Sequence, residues 1–266
     1  MGKQNPGRLI GPQKRTTGTV PGCSPLAYKI ASEMGNSQTW NFFERHFGQA
    51  RLRHYLDACD GDTQRAMQLY GWNAELSAAF LAPLGHLEVA LRNTVDRQMT
   101  ARHTAKGRSG HWIFDEAREL GRDRGSGARK HAYPYVDIDK AIGRVKSNKK
   151  PLTPEQVISE ISFGFWHQMV SKSQMSLWPD IASGFPYMEG RSQDPVRDIV
   201  SSLRDFRNRI GHHHRIWALD VSEKYDQIIT LAGYIDPNLA TWISQQSRVS
   251  EVIARRPDMS TAKSIS

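Results

Sequence analysis

The sequence predicts an all-α protein. Apolar residues recur every three or four positions along much of the chain, which is the period of a helix with one buried face. Alternation of apolar and polar residues, which would indicate strands, is scarce, and no internal repeat is found. With 266 residues, the chain can form one sizeable core or at most two small ones. Its content of 38% hydrophobic and 24% charged residues is typical of a soluble globular protein.

Composition divides the chain into three segments. Residues 1–24 mix Gly, Pro, Lys, Arg and Thr without periodicity, so we expect a disordered basic tail there. Residues 25–247 carry the helical patterns and are expected to form one helical domain. Residues 248–266 are expected to hold a helix end and a flexible tail.

Cap and turn signals place the first two helices. Ser37 and Thr39 can cap a first helix, and apolar spacing predicts a second helix over 49–59. Residues 60–62 read Asp-Gly-Asp, which predicts a turn that also supplies the N-cap of the next helix.

Residues 63–99 carry the strongest helical pattern. Pro83 lies inside this segment and is expected to bend or break the helix, because proline removes a backbone hydrogen bond and clashes with the preceding turn. Glu88 and Arg92 are four residues apart and can pair on the helix surface. Six apolar residues predict one long buried stripe: Leu76, Phe80, Leu84, Leu87, Leu91 and Val95.

The helical pattern fails after residue 102 and resumes later. Residues 102–135 are basic and interrupted by glycines, which predicts a long loop with one short helix near 115–120. Further helices are expected over 138–147 and 154–170.

Positive charge is concentrated in two places. The formal net charge is +9, and residues 101–150 hold thirteen Lys or Arg against six Asp or Glu. Residues 1–22 hold four Lys or Arg and no Asp or Glu. Such a concentration is typical of a surface that attracts polyanions, although a solvated loop gives the same pattern. We expect RNA binding through the charges of the 101–150 segment, chiefly Arg122, Arg124, Arg129 and Lys130.

Cysteine usage and hydropathy indicate the compartment. Cys23 and Cys59 are too few for a disulfide framework or a four-ligand zinc site. The first 22 residues lack the apolar region of a signal peptide, and no apolar run is long enough to cross a bilayer. We therefore expect a cytoplasmic protein without membrane association, metal site or cofactor.

Residues 206–217 form the most informative stretch, with three arginines, three consecutive histidines and one glycine between apolar residues. Histidine can take and give a proton near neutral pH, and arginine matches phosphate oxygens with a rigid fork. The combination suits a site that moves protons while holding a phosphodiester. A solvated helix end or an adventitious metal-binding tract is the alternative interpretation.

Helical geometry restricts how this cluster can act. Asp194 and Pro195 predict a helix start, with the acid as N-cap. Arg207 then falls at the edge of the buried face, where it needs a carboxylate such as Glu88 or a phosphate. The apolar residues expected to form that face are Val196, Ile199, Val200, Leu203, Phe206 and Ile210.

The backbone after this helix decides which histidine meets the arginine. In a continuous helix Arg207 and His212 point roughly 140° apart. They converge if Gly211 distorts the backbone or if the partner group lies on another chain, whereas His214 is the better partner by helical geometry. Spacing alone does not choose between them.

The cluster resembles the defining motif of the Abi-like (abortive infection) proteins, which are all-α ribonucleases of the HEPN superfamily. That motif is Arg, a polar residue, three further residues and then His, and Arg207, Asn208 and His212 match it. The resemblance extends over roughly residues 36–245. It includes the extension His213, Arg215 and Trp217, the helix segment 87–93 (Leu-Glu-Val-Ala-Leu-Arg-Asn) and the upstream segment 69–73 (Leu-Tyr-Gly-Trp-Asn).

The resemblance implies a HEPN-like helical bundle, here with additional helices and a long basic loop, and a metal-independent endoribonuclease. It implies catalysis by Arg207, Asn208 and His212 across a homodimer interface, in phage defence or growth arrest, with an antitoxin as a further candidate partner. The alternative is a catalytically inactive RNA-binding or scaffold module of the same fold. Auxiliary residues implied in the same cleft are His213, His214, Glu88, Arg92 and Asn93.

Overall fold

The computed structural model describes residues 36–122 and 133–259, and these residues form helices, turns and loops without any strand. The all-α prediction is confirmed for this part of the chain. The helices are α1 (Asn36–Phe47), α2 (Gln49–Ala58), α3 (Thr63–Ala105), α4 (Tyr135–Ser147), α5 (Pro154–Ser159), α6 (Phe163–Met169), α7 (Trp178–Ile181), α8 (Asp194–Gly211), α9 (Val221–Ile235), α10 (Pro237–Gln246) and α11 (Val249–Ala254). Short 3-10 helices span Trp112–Phe114, Lys172–Leu177 and Ala182–Gly184.

The chain divides into two compact units within α3, between Gln68 and Leu69. The predicted tail 1–24 lies outside the described residues. The predicted boundary after residue 247 falls in the short connection between α10 and α11.

The first unit contains α1, α2 and the start of α3. Gly48, with φ of +83°, joins α1 to α2, a conformation that glycine adopts without strain. The Asp62 carboxylate accepts the backbone N–H groups of Gln64 (2.9 Å) and Arg65 (3.0 Å), so the predicted turn and cap before α3 are confirmed. The predicted caps at residues 37 and 39 instead lie inside α1, which begins at Asn36.

The second unit is built around α3. All six residues of the predicted stripe are at most 5% exposed, from Leu76 to Val95. The Phe80 ring meets the Phe206 ring of α8 edge to face with 4.8 Å between centroids, and Tyr225 of α9 lies 6.4 Å from Phe80. These contacts hold α8 and α9 against α3 and so fix the position of the candidate site.

Helix α3 runs through Pro83 and continues to Ala105, so the predicted break is absent. An interior proline costs about 3 kcal/mol. Each fully buried Leu or Phe of the stripe contributes roughly 1.5–3 kcal/mol, which offsets that cost on both sides of the proline.

Helix α3 also bears on the membrane expectation. By length and composition alone it is the one helix among residues 36–122 and 133–259 that could cross a membrane. This criterion allows charged residues within the window, so it differs from the search for a continuous apolar run, and the absence of membrane association stays a prediction. Core helices of soluble proteins meet the criterion as well, and α3 carries the buried stripe described above.

Two predicted helices between α3 and α8 are corrected. The segment 115–120 forms turns, because the buried Asp115 carboxylate accepts the N–H groups of Glu119 (2.8 Å) and Leu120 (3.1 Å) in place of helical carbonyls. The predicted helix 154–170 is divided into α5 and α6. The turn between them is tied to α4 by Arg144, whose guanidinium donates to the Glu160 carbonyl and lies 3.4 Å from its carboxylate.

Candidate functional site

Helix α8 presents an apolar face to the core and a polar face to solvent. Of its six predicted core residues five are buried and Ile199 is half-buried. Arg207 and Asn208 are exposed, which corrects the placement of Arg207 at the edge of the buried face. An exposed guanidinium keeps its hydration and requires no internal counter-ion. The predicted N-cap, Asp194, lies in the first turn instead and accepts a hydrogen bond from Arg197.

The end of α8 is closed by His213 rather than by Gly211. The His213 N–H donates to the Ile210 carbonyl (3.0 Å), and the His214 N–H donates to the Arg209 carbonyl (2.8 Å). This pair of bonds is the Schellman motif, whose turn residue adopts left-handed φ. His213 is that residue, with φ of +54°, whereas Gly211 is helical. The backbone distortion that the sequence allowed at Gly211 is therefore found two residues later, at His213.

The left-handed turn brings the histidine cluster together. His212, His213 and His214 are all exposed, and the rings of His212 and His214 lie 5.8 Å apart between centroids. The Arg207 guanidinium extends along α8 towards the same end. Its Nη1 lies 3.7 Å from the position that a Cβ on residue 211 would occupy. The helix end thus carries one guanidinium and two neighbouring imidazoles on an accessible surface.

The strain at His213 gives a prediction about stability. Left-handed φ costs a residue with a Cβ about 1 kcal/mol relative to glycine. We expect His213→Gly to be more stable than His213→Ala by about 1 kcal/mol in urea unfolding, a comparison in which both variants lose the imidazole. Equal stability of the two variants would contradict the left-handed cap.

Asn73 anchors the segment that follows the histidines. Its side chain is buried, and its Oδ1 accepts the N–H groups of Ile216 (2.8 Å) and Trp217 (3.1 Å). We call residues 212–215 the histidine segment. The cap of α8 fixes one end of it, and Asn73 fixes the residues that follow its other end. Arg209 adds a third restraint, since its guanidinium donates to the Arg215 carbonyl at 3.0 Å.

Asn73 lies in the segment 69–73 that resembles the family, but no local pattern in the sequence indicates its role. The signal that could have found it is an amide in a helix flanked by apolar residues, which needs a buried partner. Arg204, one turn before Arg207, contacts His167 of α6 at 3.1 Å, and the sequence did not predict this contact either.

Glu88 of α3 lies near Arg207. Burial raises the pKa of the Glu88 carboxyl, and the charges of Arg207 and Arg92 partly oppose that rise. The predicted proximity of Glu88 and Arg207 is thus present as a charge interaction, while neither side chain makes a hydrogen bond or close ion pair to any described residue. Asn93 is exposed and lies roughly 140° around α3 from Glu88, on a different face.

The basic segment after α3 is partly neutralised. Hydrogen bonds from Arg108, Arg102 and Lys106 hold the pKa of the Glu119 carboxyl well below its usual range. Arg108 makes two of these bonds, at 2.8 and 3.0 Å. Much of the positive charge near the end of α3 that was expected to attract polyanions therefore stabilises the loop through Glu119.

Of the four predicted RNA-binding residues, only Arg122 is described. It is exposed, donates to the Phe114 carbonyl at 3.3 Å and lies 5.5 Å over the ring of Tyr135. Arg124, Arg129 and Lys130 lie outside the described residues. Among residues 36–122 and 133–259, no three His, Cys, Asp or Glu side chains are grouped as metal ligands would be.

Comparisons with known proteins identify a family. No curated protein and no solved structure matches the chain. The family model of the Abi-like proteins matches residues 32–218, which is more than half of the chain and ends one residue after Trp217. This range contains α8, the histidine segment and Asn73. The chain therefore belongs to the Abi-like protein family.

Proposed function

We propose that this protein is a metal-independent endoribonuclease of the HEPN type, acting in the cytoplasm in phage defence or growth arrest. The observation that supports this function best is the exposed set of Arg207, Asn208 and His212 at one helix end, held by the cap of α8 and by Asn73. The backbone that carries these side chains is fixed in this way, and the side chains themselves remain accessible to a substrate.

The chemistry follows from the residue types. An RNA 2′-hydroxyl attacks the adjacent phosphorus, and the bond from phosphorus to the 5′-oxygen of the next nucleotide breaks. One histidine takes the hydroxyl proton and a second protonates the leaving 5′-oxygen. Arg207 stabilises the negative charge that develops on the phosphoryl oxygens, and Asn208 orients the histidine or the phosphate. The products are a 2′,3′-cyclic phosphate and a 5′-hydroxyl.

The second histidine comes from a second copy of the chain. In one protomer Arg207 and His212 lie on an open surface, so a facing copy is needed to enclose a phosphodiester. Within one chain, the ring of His214 lies 5.8 Å from the ring of His212 between centroids, so His214 is the alternative second histidine.

A mixing experiment tests the dimer. If both Arg–His sets of a homodimer are required, activity should fall with the square of the wild-type fraction when wild type is co-expressed with His212→Ala. A linear fall, or an active monomer in sedimentation, would instead assign the second histidine to His214.

Cleavage of RNA by the purified protein in EDTA tests the function itself. We expect RNA cleavage without a divalent ion and no cleavage of DNA of the same sequence, because DNA lacks the attacking hydroxyl. RNA binding without cleavage would favour the inactive module, and cleavage strictly dependent on a divalent ion would reject the mechanism. An antitoxin would act by covering this same surface.

A further inference from the structure

An open groove of about 520 Å³ lies beside the histidine segment. Its lining includes Trp72, Trp217, Asp220, Ser222 and Arg256, and we call it the Trp217 groove. Two residues lie between His214 and Trp217, so the Cα atoms of these two residues are at most about 11 Å apart. The groove is therefore within one or two nucleotides of the candidate catalytic histidines.

Arg256 lines this groove next to Trp72. Its guanidinium carbon lies 5.6 Å from the ring centroid of Trp72, and its Nη2 donates to the Trp217 carbonyl at 3.3 Å. Trp72 is itself fixed, because its indole N–H donates to the Val252 carbonyl at 2.8 Å. Arg256 is exposed, so a ligand in the groove can reach its side chain.

Asp220 adds an acceptor at the edge of the groove. Its Oδ1 accepts the Glu223 N–H at 2.9 Å and caps α9, and no described residue engages its Oδ2. A carboxylate beside a stacking surface matches a base that carries an exocyclic amino group.

We propose that the Trp217 groove binds the base of a nucleotide flanking the scissile phosphate, stacked on Arg256 and Trp217, with Asp220 favouring bases that carry an amino group. Proteins read single-stranded RNA by stacking bases on aromatic rings and guanidinium planes and by bonding their edges. The groove is of the size that encloses small ligands. The proposal rests on the proposed function, because it assigns the groove to the same RNA substrate.

Binding of a short single-stranded RNA to the His212→Ala protein tests the proposal without cleavage. Abasic nucleotides are placed at each position in turn. We expect one abasic position to weaken binding about 10-fold, and this loss to fall to about 2-fold or less when Arg256→Ala is added. Arg53→Ala, which removes an exposed arginine on α2, is the matched control and should leave the 10-fold loss unchanged.

Two conservative variants separate stacking from charge and from folding. Arg256→Lys keeps the charge and loses the plane, so it should behave as Arg256→Ala in the abasic comparison. Asp220→Asn keeps the helix cap and should remove the preference for adenine, cytosine or guanine over uracil at that position. A uniform abasic scan, or base discrimination unaffected by these variants, overturns the groove assignment. Such a result with normal wild-type cleavage leaves the proposed function intact, whereas absence of RNA binding and cleavage rejects both.

Discussion

Replacing His212 by alanine is expected to reduce RNA cleavage about 10²–10⁴-fold, because that is the usual contribution of a proton-transfer group. The side chain is exposed and follows the last helical residue of α8, so its removal should leave the fold intact. Single-turnover cleavage measures the loss, and a thermal melt checks the fold.

The matched control is His54→Ala, which removes an exposed histidine on α2 in the first unit. It should retain wild-type cleavage. Arg207→Ala should lose activity as His212→Ala does, while the exposed Arg53 should be replaceable. Full cleavage by a well-folded His212→Ala protein would contradict the catalytic assignment.

Replacing Asn73 by alanine is expected to lower both stability and activity. The substitution leaves the N–H groups of Ile216 and Trp217 without their acceptor, and each buried unsatisfied group costs about 1–3 kcal/mol. We expect a loss of ~2–4 kcal/mol in the free energy of unfolding. Cleavage by the remaining folded protein should also fall, because the histidine segment loses its anchor.

Asn73→Asp keeps an acceptor oxygen and should recover part of the loss. Asn238→Ala is the control, since Asn238 is exposed and its substitution should change stability by less than about 0.5 kcal/mol. An Asn73→Ala protein with wild-type stability and activity would show that the two hydrogen bonds do not hold the site.

The sequence predicts well the features that depend on the local spacing of apolar residues. The apolar stripe of α3 and the inward face of α8 follow from spacing alone, because a helix repeats every 3.6 residues and its buried side must be apolar. Helical spacing predicted the position of Arg207, a candidate catalytic residue at the end of α8, less well. It placed Arg207 near the core, since helical angle does not determine how far a long side chain reaches towards solvent.

The features that the sequence did not predict depend on distant or unusual contacts. Asn73 and Ile216 are 143 residues apart, and no local pattern joins them. A backbone distortion at Gly211 was one of the arrangements that the sequence left open, whereas the left-handed turn occurs at His213. Glu119 accepts hydrogen bonds from Arg108, Arg102 and Lys106, whose charges composition alone had assigned to RNA binding.

The chemical ends of the cleaved RNA test the central claim most directly. After digestion in EDTA, the account predicts a 2′,3′-cyclic phosphate on the upstream fragment and a 5′-hydroxyl on the downstream fragment, with both lost in the His212→Ala protein. A 3′-hydroxyl with a 5′-phosphate would show that water, rather than the RNA 2′-hydroxyl, attacks the phosphorus, and would contradict the proposed mechanism.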